Sequence, residues 1–175
     1  MIKSCLTLFA QMLVLVAMAQ SEIKTGDTAF VSGHHIVKLN ESTKKSRGYV
    51  VVEYINQKQI IERNHAMAQQ EAWQDARKKE AADYTEQHEK GGSVIFSIYR
   101  ASIETADPKW FTIVIKKNEA ELLRTRFTTD THPVSADNGY WRLLKGIPIP
   151  ALIAYPFDVH LLEAGNEIIQ FRVLD

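Results

Sequence analysis

Asp130 and His132 are the only close Asp/His pair on a loop of this chain, and Asp137 follows five residues later. A carboxylate beside an imidazole can move a proton, and carboxylate and amide oxygens on convergent loops can wrap a hard cation. Three segments between apolar runs carry such oxygens: 104–109 with Glu104 and Asp107, 128–139 with Asp130, Asp137 and Asn138, and 163–167 with Glu163 and Glu167. If the strands from Val94 onward alternate in direction, these three loops share one end of the fold. Trp110 and Tyr140 stand at the mouths of the same strands and point outward, where an aromatic face can stack on a sugar ring. Trp110, Tyr140, Asp130, His132 and Asp137 are therefore the candidate ligand-binding residues. Asp107, Asp130 and Asp137 are the calcium candidates, but their spacing lacks the one-in-two ligand rhythm of a calcium loop, so no metal site is assigned.

Other chemistry finds less support. His34 and His35 are neighbours in a β-type run and point to opposite faces, so one metal cannot use both. No Gly-x-Ser-x-Gly, His-Glu-x-x-His or phosphate-cradling glycine loop occurs. No catalytic residue is assigned and no cofactor is expected. A hydrolase built around Asp130, His132 and Asp137 is the alternative, since a triad assembled from distant residues leaves no local signature. The 21 basic and 21 acidic side chains balance, which argues against binding nucleic acid. The segment from Gly146 to Pro156 is apolar yet holds Pro148, Pro150 and Pro156, so it is no central strand. It either caps the core or offers Ile149, Leu152, Ile153 and Tyr155 to a partner.

The elements that must position these residues are mostly strands. Phe30–Leu39 and Tyr49–Ile55 are rich in β-branched and aromatic residues. After Gly92, six more runs alternate strictly, with inward Val94, Phe96 and Ile98; Phe111, Ile113 and Ile115; Leu123, Thr125 and Phe127; Trp141 and Leu143; Phe157, Val159 and Leu161; and Ile169, Phe171 and Val173. Lys116–Glu119 and Glu163–Glu167 read as hairpin turns. Arg124, Arg126, Arg142 and Arg172 fall on outward positions and would form a cationic face if their strands shared a sheet. Between 56 and 90 the chain has no Gly or Pro and is rich in Ala, Gln, Glu and Lys, as in a helix capped by Asn56 and stopped by Gly91-Gly92. Unbroken, it would run about 50 Å, too long for this domain, so it must bend, break or protrude. Ile61, His65, Ala68, Ala72 and Ala76 form the stripe expected to lie on a sheet.

Eight short strands, each with one dry face, predict a mainly β fold, a two-sheet antiparallel β-sandwich with one long helical crossover. The alternative is an α+β domain with a single antiparallel sheet packed on the helix. The first nineteen residues read differently: Lys3, then an apolar run from Leu6 to Val16 too short to span a bilayer, then Ala17-Met18-Ala19. Residues 1–19 are thus expected to be a signal peptide, leaving 20–175 as one exported domain with no membrane span. The only cysteine, Cys5, would leave with it, which excludes disulfides and thiolate chemistry from the mature chain. Trp110-Phe111, Tyr140-Trp141 and Pro156-Phe157-Asp158-Val159, each opening a strand after Gly92, resemble exported bacterial β-sandwich proteins of unknown function. That resemblance implies a fold and no activity. The function expected is that of a non-catalytic periplasmic, cell-envelope or secreted module binding an envelope protein or glycan; a calcium-stabilised adhesion-like domain is a further alternative. Oligomeric state is left open.

Overall fold

A computed structural model describes residues 24–41, 48–136 and 139–175. The expected signal peptide, the link 42–47, Asp137 and Asn138 lie outside the described residues. Among these residues the fold is mainly β, with two antiparallel sheets and two helices. In chain order the strands are β1 (Thr28–Val31), β2 (His34–Glu41), β3 (Gly48–Ile55), β4 (Ser93–Arg100), β5 (Phe111–Lys117), β6 (Ala120–Arg126), β7 (Val134–Ser135), β8 (Trp141–Pro148), β9 (Phe157–Glu163) and β10 (Asn166–Val173). One sheet runs β1-β2-β10-β9-β5-β6 and the other β3-β4-β8-β7.

Among the described residues the strands number ten rather than about eight. The Phe30–Leu39 run folds back on itself at Ser32-Gly33, and the two-residue β7 was not anticipated. Three tight hairpins share one device: both central residues take positive φ, at Ser32-Gly33, Asn118-Glu119 and Ala164-Gly165. That is the two-residue turn whose twist matches the flanking strands.

The expected alternation holds through most of the core. Inward residues of both sheets belong to one buried cluster, which includes Val52, Phe96 and Ile98 from one side and Phe111, Ile113, Phe157, Leu161 and Phe171 from the other. No helical residue enters it. Each fully buried Phe or Ile contributes roughly 1.5–3 kcal/mol by leaving water. Trp141 departs from the pattern: it is only partly buried, at the first position of β8, where its neighbour on the edge side is Ser135 of the short β7.

The helical segment is two helices, α1 (Gln57–Gln70) and α2 (Asp75–His88), rather than one. Asn56 caps α1 in a full capping box with Gln59. The break follows a Schellman stop, with Trp73 N donating to Ala68 O at 2.9 Å and Ala72 N to Gln69 O at 3.4 Å, and Ala72 left-handed at φ 49°. Glycine usually fills that position, so an alanine there hid the break. Nor do the helices form a crossover, because β3 and β4, which they connect, are antiparallel neighbours over eight register pairs.

The face that α1 lays on the sheet is also not the expected stripe. Ile60 packs with Ile55 and Ile95 on the outer side of the four-stranded sheet, whereas Ile61, His65, Ala72 and Ala76 are exposed. The docked face continues at helical spacing through Arg63, Asn64 and Met67. Arg63 pairs with the buried Glu53 carboxylate at 2.6 Å, which Ser32 also reaches from the β1–β2 turn. Asn64 donates to Thr85 Oγ1 at 3.3 Å, and Thr85 and Ser93 each donate to the buried Glu89 at 3.0 Å. One carboxylate thus ties α1, α2 and β4 together. Close approach fixes the junction: Gly91 N donates to Ile149 O at 2.8 Å, and a Cβ on Gly92 would lie 2.2 Å from Ile55 O.

Burial pushes the Glu89 carboxyl above the usual glutamate range, against the hydrogen bonds from Ser93 and Thr85. A carboxyl raised on folding contributes stability that is fully present below its unfolded pKa and is lost as pH rises through its folded value. Glu89→Gln, which cannot ionise, is expected to exceed the parent in urea stability at pH 7, the gap closing near pH 4; equal stability at pH 7 would remove the buried charge as a cost. Ala72→Gly is expected to raise stability by about 0.5–1 kcal/mol by relieving the left-handed alanine, and a loss in thermal unfolding would contradict the Schellman stop.

Candidate functional site

The strand pairing does bring the three loops to one end. Phe111 pairs with Glu163, Thr112 with Arg126, and Arg100 with Trp141, so the connections 101–110, 127–140 and 164–165 all leave from the same side. What the residues do there is set by two buried cations. Lys145 occupies an inward position of β8 between Leu143 and Ile147, and only 8 % of it is exposed. A buried ammonium needs a counter-charge and acceptors. Phe127 packs against Phe96 and Phe111 and its N–H bonds Phe111 O at 3.0 Å, which turns the following loop over Lys145. Lys145 Nζ then donates to Asp130 Oδ1 and Thr128 Oγ1, each at 2.7 Å, and Thr128 donates to Asp130 as well.

Burial alone would push Asp130 up, but the hydrogen bonds from Lys145 and Thr128 and the Lys145 charge hold its carboxyl below the usual aspartate range. Such a carboxylate is a poor base. Arg100, 1 % exposed, consumes a second acid: its guanidinium donates to Glu163 Oε2 at 3.3 Å and to Tyr99 O at 3.0 Å, and lies 5.4 Å from the Phe111 ring centre. Asp107 is engaged too. It accepts from the Lys109 amide at 2.9 Å, capping the 3-10 turn Pro108–Trp110, and pairs with Lys109 Nζ at 2.8 Å. Both bonds hold it below the usual range.

Of the predicted ligand set, His132 is exposed and Asp137 lies outside the described residues. Trp110 is 42 % exposed, with its indole N–H on Glu104 O at 3.0 Å and Lys109 Nζ 5.2 Å from the ring centre. Tyr140 is half-buried against Tyr49, which stacks on Tyr99 at 4.3 Å. The calcium candidates Asp107 and Asp130 are committed to different lysines, and among the described residues no group of three or more His, Asp or Glu could hold a metal. The cationic face does not assemble: Arg142 is in the other sheet, Arg124 binds Glu121, Arg172 binds Asp158, and Arg126 donates to Lys109 O. Sequence reasoning missed Lys145 and Arg100, although each sits at an inward position of an alternating run, two residues from Leu143 and Ile98.

At the opposite end the Pro-rich segment divides. Ile149 is buried and hydrogen-bonded to Gly91 and Gly92, and Ile153 packs partly on the core, so neither is offered to a partner. Leu152 is 82 % exposed and Tyr155 37 %. Tyr155 stacks on Phe157 and bonds Tyr54, which donates to Gly91 O at 2.8 Å; burial and Tyr155 hold the Tyr54 phenol well above its usual range. His34 wedges against Tyr54 and Tyr155 with Nε2 3.2 Å from Gln59. No helix among the described residues is long and apolar enough to cross a membrane.

Asp130→Ala is expected to cost about 2 kcal/mol at neutral pH by stranding Lys145, less than a fully buried pair because Asp130 is half exposed. The deficit should narrow in acid, since a depressed carboxyl loses its contribution as pH falls through its folded value. Adding Lys145→Met should restore most of the melting temperature; a double variant as unstable as Asp130→Ala would deny the pair its structural role. No family model matches this chain, and neither a curated protein nor a solved structure is significantly similar to it.

Proposed function

We propose that this chain is an exported, non-catalytic β-sandwich module that binds a protein of the cell envelope through the turn at Leu152–Tyr155. In this reading residues 1–19 are removed as a signal peptide, and the mature domain places its two sheets face to face around the shared cluster.

The observation that carries the binding role is a large apolar side chain held almost entirely in water on a rigid support. Leu152, 82 % exposed, sits between the buried Ile149 and the core-packed Ile153. Pro148, Pro150 and Pro156 restrict the backbone around it, and Lys117 Nζ bonds Ala154 O at 2.5 Å. A pre-ordered apolar anchor loses little entropy on binding, which suits a pocket on another protein. The hydrolase and calcium readings are weaker because Asp107, Asp130 and Glu163 already neutralise the protein's own cations. A glycan is a poorer fit to Trp110 and Tyr140, since Lys109 approaches the Trp110 ring and Tyr140 leans on Tyr49.

The test has two arms. N-terminal sequencing of the exported protein should start at Gln20, and an intact Met1 in a cytosolic product would sink the export arm. A photo-crosslinker at Leu152 should join one envelope protein, and Leu152→Asp should weaken that complex at least tenfold, as for an interface anchor, without changing the melting temperature. Unchanged affinity would remove Leu152 as the contact.

A further inference from the structure

We propose that the space between α1 and α2 is a binding site for an aliphatic carboxylate, with a medium-length acyl chain between the helices and its acid group at Lys78. The hairpin is braced at both ends. At one, Asn64 donates to Thr85 Oγ1 at 3.3 Å, and Thr85 in turn donates to the buried Glu89. At the other, the link between the helices carries Trp73, only 7 % exposed. Its indole N–H donates to Glu71 Oε2 at 2.8 Å, and the Arg77 guanidinium lies 4.0 Å from its ring centre. Between these braces the helices present small side chains, Ala68 from α1 and Ala81 and Ala82 from α2, which leave an open cleft of about 490 Å³. Walls held apart in this way forfeit the contacts a packed interior would make, and an occupant restores them. The volume lies within the ~300–1,000 Å³ of small-molecule sites. On α1 the lining runs about 12 Å, from Ile61 to Gln69.

The chemistry of the walls selects the occupant. They are aliphatic through Ile61 and the alanines, with Trp73 as the single aromatic ring among the described lining residues, and such walls gain by covering a methylene chain. The titratable side chains of the lining are Lys78 and His65, both basic, and no carboxylate is among the described residues that form it. An acid group is therefore complementary to the cleft, and an ammonium group is not. Lys78 completes the first turn of α2, next to the link that carries Trp73, so the acid group belongs at that end and the chain runs toward Ile61. Pairing with Asp75 at 3.0 Å does not consume the lysine. Asp75 is 99 % exposed, so water screens the pair, and the ammonium keeps two further N–H donors. Because both ends are braced, the walls are in place before a ligand arrives, which keeps the ordering cost of binding low. The cleft shares no residue with the Leu152 turn, and neither proposal rests on the other.

Titration of the purified protein with decanoate below its micelle concentration, followed by calorimetry and tryptophan fluorescence, is the experiment. The expected result is one decanoate per chain with a micromolar dissociation constant and a raised melting temperature. The emission should change on binding. Trp73→Phe should abolish that change while calorimetry still shows uptake, and Trp110→Phe should leave it intact. Ala68→Leu and Ala81→Leu, which fill the cleft, are each expected to weaken binding at least tenfold, with circular dichroism showing both folded. Lys78→Gln should weaken decanoate about tenfold and leave decanol unchanged, as for the loss of one charge-assisted hydrogen bond. No binding, binding that neither leucine variant weakens, or decanol held as tightly as decanoate by the parent overturns the proposal. So does a chain that sediments as a dimer and takes up no decanoate, which would give the cleft to a second copy.

Discussion

β10 is hydrogen-bonded on both sides, to β9 through its hairpin and to β2 near the other end of the chain, while Ile169, Phe171 and Val173 enter the common core. Without that insertion the six-stranded sheet falls into two unconnected pieces, β1-β2 and β9-β5-β6. The cost of bringing residues 36–41 against 169–173 is a long loop closure, and it is offset only when the last strand buries its apolar face at the same moment. The bulges between Glu167 and Ile169 and between Gln170 and Phe171 let β10 satisfy two partners while keeping its inward residues in phase.

A core shared by two sheets also explains the chemistry of the loop end. Lys145 and Arg100 lie on inward faces, so their charges need partners where solvent is scarce. The loop after β6 closes over Lys145 with Thr128 and Asp130, and Glu163 at the end of β9 reaches Arg100. Asp130, which reads in the sequence as half of a proton-transfer pair with His132, is in the folded chain the counter-charge of Lys145. Its acidity follows the same logic: the lysine that Asp130 shields also keeps it ionised.

The helices belong to a different layer of the structure. They contribute nothing to the main core and rest on the outer face of the four-stranded sheet through Ile60 and a set of polar bonds. A mostly polar docked face explains why hydrophobic periodicity pointed to the neighbouring stripe. Ile60 and Ile61 are adjacent and equally apolar, and which of them is buried depends on where Glu53 and Thr85 wait for Arg63 and Asn64.

The strand faces after Gly92, the hairpins at Asn118-Glu119 and Ala164-Gly165, the Asn56 cap and the common end of the three loops were legible in the sequence, because alternation, turn chemistry and capping are local and each residue carries its own signal. Trp141 misled because its position at the end of a strand, beside a two-residue edge, matters more than its parity. The break at Ala72 was hidden because an alanine, not a glycine, takes the left-handed position of the stop. The sequence by itself determined the mainly β character and, for most strand positions after Gly92, which apolar side chains turn inward. Only the tertiary structure decided which carboxylates are free, since a charge is spent or available according to the cation placed beside it, and that cation lies 15 residues away for Asp130 and 63 for Glu163.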